Sequence, residues 1–266
     1  MKSRQGRADR HSEQEFYERY YKNAFLKRGG FEKVMLSFAP ALPETVRVDR
    51  LVASLGKIEN LKICELGCGD GRLTVRLARE GGLVSGIDIS KSGVKRAISR
   101  ARSSDLRHVD LLQMDACNLS FKDESFDLVV GKEVLHHLDT KTVAVEINRI
   151  LKKGGKAFFV EPLAHNPLSN LWRKITPTYR TTSEIPLSYS EIQEIGSNFS
   201  STRYEEFNLL PLLSSFVYPI THSLRAKWKA GEILSRAEIP LLKKFKSFSA
   251  VLIMLSASVL IQFTKA

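Results

Sequence analysis

"CELGCGDGRLT" (residues 64–74) sets Gly67, Gly69 and Gly71 at alternate positions behind the acidic Glu65. The apolar run "LKICELG" before it reads as a buried strand. "RLTVRLARE" after it reads as a helix, stopped by Gly81-Gly82. A strand that enters a glycine-rich turn and opens a helix is where a parallel α/β sheet holds an adenosine ligand. Glycines there permit positive φ and let the main chain approach the ligand with no Cβ between them. The dinucleotide fingerprint is G-x-G-x-x-G, whose third glycine lets a helix N-terminus face a pyrophosphate. Counted from Gly67 and Gly69, that third position is Arg72, so the spacing departs from the dinucleotide pattern.

A second element stands seventeen residues after Gly71, where the strand "LVSGIDI" carries Asp88. A carboxylate there accepts hydrogen bonds from both hydroxyls of a ribose; the other reading is a cap for the helix that Ser90 begins, with Val94, Ala97, Ile98 and Ala101 on one face. "VDLLQMD" and "FDLVVG" read as strands three and four. "TKTVAVEINRILKK" is a helix closed by Gly154-Gly155, and "KAFFVEP" is strand five. This alternation over residues 61–162 predicts a doubly wound, mostly parallel α/β sheet.

Residues 1–60 read as a helical cap or lid, carrying "EQEFYERYYKNAFLK" and "ETVRVDRLVASLG". Residues 163–266 break the rhythm. The proline-punctuated "LAHNPLSNLWRKITPTYRTTSEIPLS" reads as an insertion on the substrate side. Ser190 and Gln193 suggest a capping box for "EIQEIGSNF", and "RYEEFNLLPL" reads as a returning strand. A helical tail from about residue 222 breaks at Pro240. It ends in "SFSAVLIMLSASVLIQFT" (247–264), eighteen residues without a charge. That run is either a buried final strand with apolar packing, an in-plane membrane contact helped by Lys243, Lys244 and Lys246, or a span at the lower limit of length.

At this point the sequence resembles the class I S-adenosylmethionine-dependent methyltransferases, in the small-molecule branch of ubiquinone/menaquinone-methyltransferase-like enzymes. "ICELGCGDGRLT" looks like that family's first motif, "GIDIS" its ribose-binding acidic motif, and "QMDACNLSF" its adenine loop. "FDLVVGKEVLHHLD" is similar to the post-adenine strand and helix, and "EINRILKKGGKAFFVEP" to the fifth-strand segment. The resemblance covers roughly residues 60–162 and implies a Rossmann-like fold with S-adenosyl-L-methionine as cofactor. It implies that Glu65 and the backbone of Gly67, Cys68 and Gly69 surround the methionine end, with Gly71 giving clearance. Asp88 would hold the ribose and Ile89 pack on the adenine, while Asp115, beside Ala116, accepts from the adenine amino group. Gly131 and Lys132 would line the sulfonium's side.

Methyl transfer from a sulfonium is an in-line displacement, which needs an aligned nucleophile, exclusion of water and, for a hydroxyl or protonated amine, a general base. "EVLHHLD", read as a helix, offers His136 and His137, which point about 100° apart so that one faces the cleft. Resemblance to small-molecule enzymes with a histidine here favours His136; packing is the alternative. Glu161 and His165 form a second set that either orients the acceptor or caps a loop. If the N-terminal helix is a lid, Tyr17, Tyr20 and Tyr21 fold over the cofactor, while Arg173, Lys174 and Arg180 either bind an anionic group of the acceptor or form a solvated basic loop.

Net charge is +12, and residues 222–266 hold eight Lys/Arg against two Glu. That basic excess points to an anionic partner or surface, or to a solvated helix face. A nucleic-acid target is disfavoured: the Asn/Asp-Pro-Pro-aromatic tetrapeptide expected after strand four reads "GKEV", and no basic residues interleave with aromatics along a groove. Protein methylation is disfavoured by the missing paired-glutamate loop. "MKSRQGRADRHSEQEF" lacks an apolar signal region, so the expected location is cytoplasmic, with a peripheral membrane contact through the tail. Cys64, Cys68 and Cys117 read as reduced thiols rather than metal ligands, Cys117 as a small buried filler. The expectation is a methyltransferase acting on an O or N atom of a small or amphiphilic acceptor, lipid-linked or glycan. The alternatives are a nucleic-acid or protein methyltransferase, or a non-catalytic cofactor-binding relative.

Overall fold

The computed structural model describes residues 10–23, 44–106, 108–175, 185–207, 221, 223–244 and 258–266. In chain order its elements begin with α1 (Arg10–Asn23), α2 (Glu44–Leu55), β1 (Lys62–Leu66), α3 (Arg72–Arg79), β2 (Leu83–Asp88), α4 (Lys91–Ser103) and β3 (Val109–Gln113). They continue with β4 (Phe126–Lys132), α5 (Thr140–Ile150), β5 (Leu151–Pro162), α6 (Pro167–Ile175), α7 (Tyr189–Gly196), β6 (Ser201–Phe207), α8 (Leu224–Lys244) and β7 (Ser258–Thr264). One seven-stranded sheet runs β3-β2-β1-β4-β5-β7-β6. The first five strands pair in parallel, and β7 is inserted antiparallel between β5 and β6.

The sheet's two faces follow from alternation along the strands. Ile63, Leu128, Val130, Phe158 and Val160 point to the side covered by α2 and α3, where they join Leu51, Leu73 and Leu77. Cys64, Leu66, Val129, Ala157 and Phe159 point to the other side, against Val143, Ala144 and Ile147 of α5 and Ile192 and Ile195 of α7. Val259, Ile261 and Phe263 extend that second layer, and Phe263 stacks on Phe199 at a ring separation of 4.9 Å. Strand order reverses between β1 and β4, which opens a crevice at their C-terminal ends.

The apolar tail therefore completes the sheet through residues 258–264, while 245–257 lie outside the described residues. Among the described residues no helix is long and apolar enough to cross a membrane. Several local expectations are corrected. Helix α5 stops at Ile150, and β5 begins at Leu151 with an irregularity that absorbs the Gly154 turn at φ +71°. The capping box of α7 is Ser188 with Glu191: Ser188 accepts from Glu191 N, and the Glu191 carboxylate accepts from Ser188 N. The bridge between Leu163 and Leu187 holds the chain extended up to that cap, so Ser190 falls inside the helix. The proline-punctuated segment contains a helix, α6, and α8 passes through Pro240, whose missing N–H removes one bond of a 21-residue helix.

Because Phe263 is fully buried between Phe159 and Phe199, Phe263→Ala is expected to cost about 3–5 kcal/mol of unfolding free energy, read by urea denaturation of the full chain. A cost below about 1 kcal/mol would remove β7 from the core.

Candidate active site

Gly67, Gly69 and Gly71 all have left-handed φ, at +68°, +53° and +81°. A Cβ on Gly67 would lie 2.7 Å from Val134 Cγ2, and one on Gly71 would lie 2.8 Å from Ala97 Cα. The turn is bare because the element after β4 and helix α4 both press on it. Its amides point inward: Cys68 N donates to Ile87 O, Gly69 N to Asp88 Oδ2 and Gly71 N to Cys68 O, each at 2.8 Å. A turn whose donors are committed in this way presents no nest of N–H groups for a pyrophosphate.

Asp88 ties the turn to the next helix. While Oδ2 holds Gly69 N, Oδ1 accepts from Ser90 N at 2.8 Å, and Ser90 Oγ caps α4 by accepting from Gly93 N. Burial raises the Asp88 carboxyl above its ordinary range, against the pull of those two amides. Asp88 thus braces the cap of α4, and each of its oxygens retains acceptor capacity. Glu65 is 2% exposed, with Thr74 Oγ1 donating to it at 2.5 Å. Burial pushes its carboxyl up to about 7, opposed by Thr74 and by the charge of Lys132.

Asp115 follows β3, in a loop clamped by Arg149, which donates to Leu119 O and Phe121 O. Its Oδ1 accepts from Cys117 N and its Oδ2 from Arg10 Nη1 at 2.6 Å. Ala116 and Cys117 are buried beside it, and Ile89 is half-buried, its carbonyl accepting from Gln113. Lys132 closes β4 next to Gly131 and pairs with Glu133 at 3.0 Å. Glu133 adopts φ +55°, a strained value for a residue with a side chain, and Arg47 of α2 faces its carboxylate at 3.5 Å.

"EVLHHLD" folds as a three-residue 3-10 turn, Leu135–His137, rather than a helix. Glu161 at the end of β5 sets it: Oε1 accepts from Val134 N and Leu135 N, and Oε2 lies 2.6 Å from His136 Nδ1. His136 and Glu161 are therefore joined, and both are buried. His137 stands beside His136 at a ring separation of 4.0 Å and meets α1 instead. Its Nε2 is 2.9 Å from the Tyr17 hydroxyl and its Nδ1 is 3.5 Å from Glu13 Oε2.

Helix α1 lies across the crevice. Glu18 accepts from Ser90 Oγ, Ser92 N and Ser92 Oγ at the start of α4; burial opposes its ionisation, but these donors pull its carboxyl down to about 2. Tyr21 rests on the glycine turn: a Cβ on Gly93 would fall 3.0 Å from its ring, and one on Gly69 would strike its hydroxyl. Tyr20 is half exposed. The crevice thus gathers Glu65, the glycine turn, Asp88, Asp115, Gly131, Lys132, Tyr17, Tyr21 and both histidines. His165 goes elsewhere, stacking on Tyr189, whose hydroxyl donates to Glu206 of the edge strand β6. Arg173 donates to Asn170 within α6, Lys174 is exposed, and Arg180 lies outside the described residues. Sequence reasoning missed Arg10, Glu13, Glu18, Arg47 and Glu133.

A family profile described as "Methyltransferase domain" matches residues 64–159. A ubiquinone biosynthesis O-methyltransferase of Bartonella quintana (strain Toulouse) is 34% identical over 128 residues, covering 48% of this chain and 47% of that protein. A 27-O-demethylrifamycin SV methyltransferase of Amycolatopsis mediterranei (strain S699) is 36% identical over 111 residues, 41% of each chain. The chain spans about half the length of the curated relatives it matches. Among solved structures, the geranyl diphosphate C-methyltransferase from Streptomyces coelicolor A3(2) superposes with a TM-score of 0.64 at 18% identity, covering 95% of this chain and 98% of that one. The YcgJ protein of Bacillus superposes at 0.57 and 20% identity, covering 84% and 99%. Sheet order, glycine turn and matched segment agree: residues 64–159 are similar to a methyltransferase domain, and the relatives matched over this part of the chain include ubiquinone biosynthesis and demethylmenaquinone methyltransferases.

Proposed function

We propose that the chain is an S-adenosylmethionine-dependent methyltransferase acting on an oxygen or nitrogen atom of a small or amphiphilic acceptor. The observation that carries this reading is the left-handed glycine turn whose amides are engaged within the fold, Gly69 N on Asp88, Cys68 N on Ile87 O and Gly71 N on Cys68 O. It makes room for a nucleoside at the switch point of the sheet and offers nothing to a pyrophosphate. Relatives named for ubiquinone biosynthesis, demethylmenaquinone and demethylrifamycin support a small-molecule acceptor, and two of these names specify oxygen.

When bound, S-adenosylmethionine supplies an electrophilic methyl carbon whose bonding pair stays with sulfur. The chain's own residues have four tasks on this reading. Asp88 accepts from the ribose hydroxyls and Asp115 from the adenine amino group, with Ile89 and Ala116 against the ring. Glu65, Cys68, Gly131 and Lys132 surround the end of the ligand that carries the sulfonium. Helix α1 excludes water, and Arg10 must yield Asp115 as the adenine arrives. Glu161 and His136, the acid–base candidates of the sequence, are buried with the carboxylate spread over Val134 N, Leu135 N and His136 Nδ1. They act by fixing the turn that presents His137. The membrane contact would fall to residues 247–257, which lie outside the described part of the chain, because 258–264 are committed to the sheet.

Titration calorimetry on the full chain should detect S-adenosylhomocysteine and S-adenosylmethionine and leave NAD silent. Asp88→Ala should weaken the two sulfur compounds by about 10- to 100-fold, the loss expected for hydrogen bonds to a charged acceptor. NAD binding, or no binding at all, would defeat the reading. Glu65 gives a pH test. Its folded pKa, about 7, lies above the ordinary 4.5, so its contribution to stability is complete below pH 4.5 and disappears as pH rises through 7. Glu65→Gln should therefore lose up to about 3 kcal/mol less stability than the native chain between pH 5 and pH 8, measured by urea unfolding at both values.

A further inference from the structure

Helix α1 is pinned along its length to the groups that line the nucleoside crevice. Toward its C-terminal end the Tyr21 hydroxyl stands over Gly69, where a Cβ would strike it. In the middle Glu18 accepts from Ser90 Oγ, Ser92 N and Ser92 Oγ. At the first residue of the helix Arg10 Nη1 donates to Asp115 Oδ2 at 2.6 Å, an ion pair whose side chains are 45% and 26% exposed. This last contact runs against the helix that carries it. A cation in the first turn opposes the helix dipole, whereas Glu13 in the first turn and Lys22 in the last follow the favourable order. Arg10 therefore gains from its partner and not from its place in α1. A second carboxylate lies within its field. Asp139 caps α5, its Oδ1 accepting from Thr142 N and Thr142 Oγ1. Burial opposes ionisation of Asp139, while the Thr142 donors and the charges of Arg10 and Lys141 hold its carboxyl below the ordinary range. The Arg10 guanidinium is thus bonded to one carboxylate and attracted by another.

We infer that Arg10 is an autoinhibitory latch: in the ligand-free chain its guanidinium occupies the adenine subsite at Asp115, and the cofactor binds by displacing it. The inference rests on the methyltransferase reading, in which Asp115 takes the adenine amino group, and goes beyond it by giving that subsite a competitor built into the chain. A guanidinium and the amino edge of adenine offer a carboxylate the same thing, N–H donors, so the two compete for Asp115 Oδ2 while Oδ1 stays on Cys117 N. Once released, Arg10 turns to Asp139, so its charge passes from one carboxylate to another and is not left alone. The exchange is therefore small in free energy, but its direction is fixed. The latch stabilises the closed helix when no ligand is present, and whatever it contributes there lowers the apparent affinity of the ligand that must open it. Glu18 and Tyr21 keep α1 registered on α4 and the glycine turn while the first turn of the helix lets go.

Calorimetry of the full chain with S-adenosylhomocysteine reads the competition directly. Arg10→Gln, which removes the charge at a surface position, should bind about two- to fivefold tighter than the native chain, the range set by a partly exposed ion pair. Arg10→Lys, which keeps the charge, should stay closer to native than Arg10→Gln does. Raising the salt from about 0.05 M to about 0.5 M should tighten binding to the native chain and leave Arg10→Gln unchanged, because the ion pair alone is screened. Asp139→Asn should weaken binding in the native background and have no effect in Arg10→Gln, since it removes the place to which the displaced guanidinium goes. Weaker binding by Arg10→Gln would overturn the proposal and make Arg10 part of the roof over the bound ligand. Unchanged affinity with the native salt response would overturn it too. A second measurement needs no ligand: in hydrogen–deuterium exchange the amides of α1 should exchange about two- to fivefold faster in Arg10→Gln, with β1, β4 and β5 unaltered. Equal exchange of α1 in both chains would remove the latch even where the cofactor binds. Failure of S-adenosylhomocysteine to bind any of these chains would instead strike the methyltransferase reading, and the exchange result alone would then decide whether Arg10 holds α1 shut.

Discussion

Asp88 holds the glycine turn with one oxygen and the start of α4 with the other, so a single buried carboxylate fixes the spacing between the two walls of the nucleoside crevice. Burying that group is costly unless its charge is met by donors, and here two backbone amides meet it. The bond from Gly69 N also bears on the chemistry of the turn. An amide donated to Asp88 is not available to a phosphate, so a bond that stabilises the fold narrows the ligand class at the same time. Ser90 then passes the constraint outward: its hydroxyl caps α4 and also donates to Glu18, which anchors α1 over the opening.

Glu161 does the same on the other side of the crevice. Three donors converge on it from the segment after β4, and they pull a chain that would otherwise continue into a helix into a short 3-10 turn. Glu133, immediately before that turn, carries the strain as φ +55°, stabilised by Arg47 and Lys132 around its carboxylate and by donation of its N–H to Val160 O. The outcome divides the two adjacent histidines. One is committed to the carboxylate below it, and the other faces the helix above.

The central strands β1, β4 and β5 were legible because strands buried on both faces read as apolar runs, whereas the edge strand β3 is largely exposed. The glycine spacing was legible because both the left-handed φ values and the close approach of Val134 and Ala97 demand glycine. What escaped was decided at longer range. Ser188-x-x-Glu191 and Ser190-x-x-Gln193 are both capping-box patterns, and a bridge from Leu163 to Leu187 selects the first. "EVLHHLD" has helical composition, and a glutamate 25 residues or more downstream overrides it. The inward face of α1 left a readable trace of which only the tyrosines were used: Arg10, Glu13, Tyr17 and Tyr21 follow at steps of three, four and four, so one helical stripe carries an ion-pair donor, a carboxylate and two phenols. Polar stripes of that kind look like solvated surface until the partner surface is known. Here the partner is the crevice, where Arg10 meets Asp115 and Glu13 and Tyr17 meet His137.

The distribution of charge separates the protein's overall character from that of its site. A net charge of +12 suggests anionic partners, yet at the crevice the carboxylates outnumber the cations: Glu13, Glu18, Glu65, Asp88 and Asp115 stand there with Arg10 and Lys132. The excess of lysine and arginine lies elsewhere, as in α8, which carries Arg225, Lys227, Lys229, Arg236, Lys243 and Lys244 against two glutamates. A concave, low-dielectric site is governed by its own walls more than by the sum over the surface, because charges lining it interact with the ligand at short range while distant ones are screened within about a Debye length of 8–10 Å. An acidic crevice opposes a diphosphate and attracts a sulfonium and an ammonium. The sign of the site, opposite to that of the chain, therefore favours the same ligand class as the inward-turned amides, and it does so through an independent physical effect.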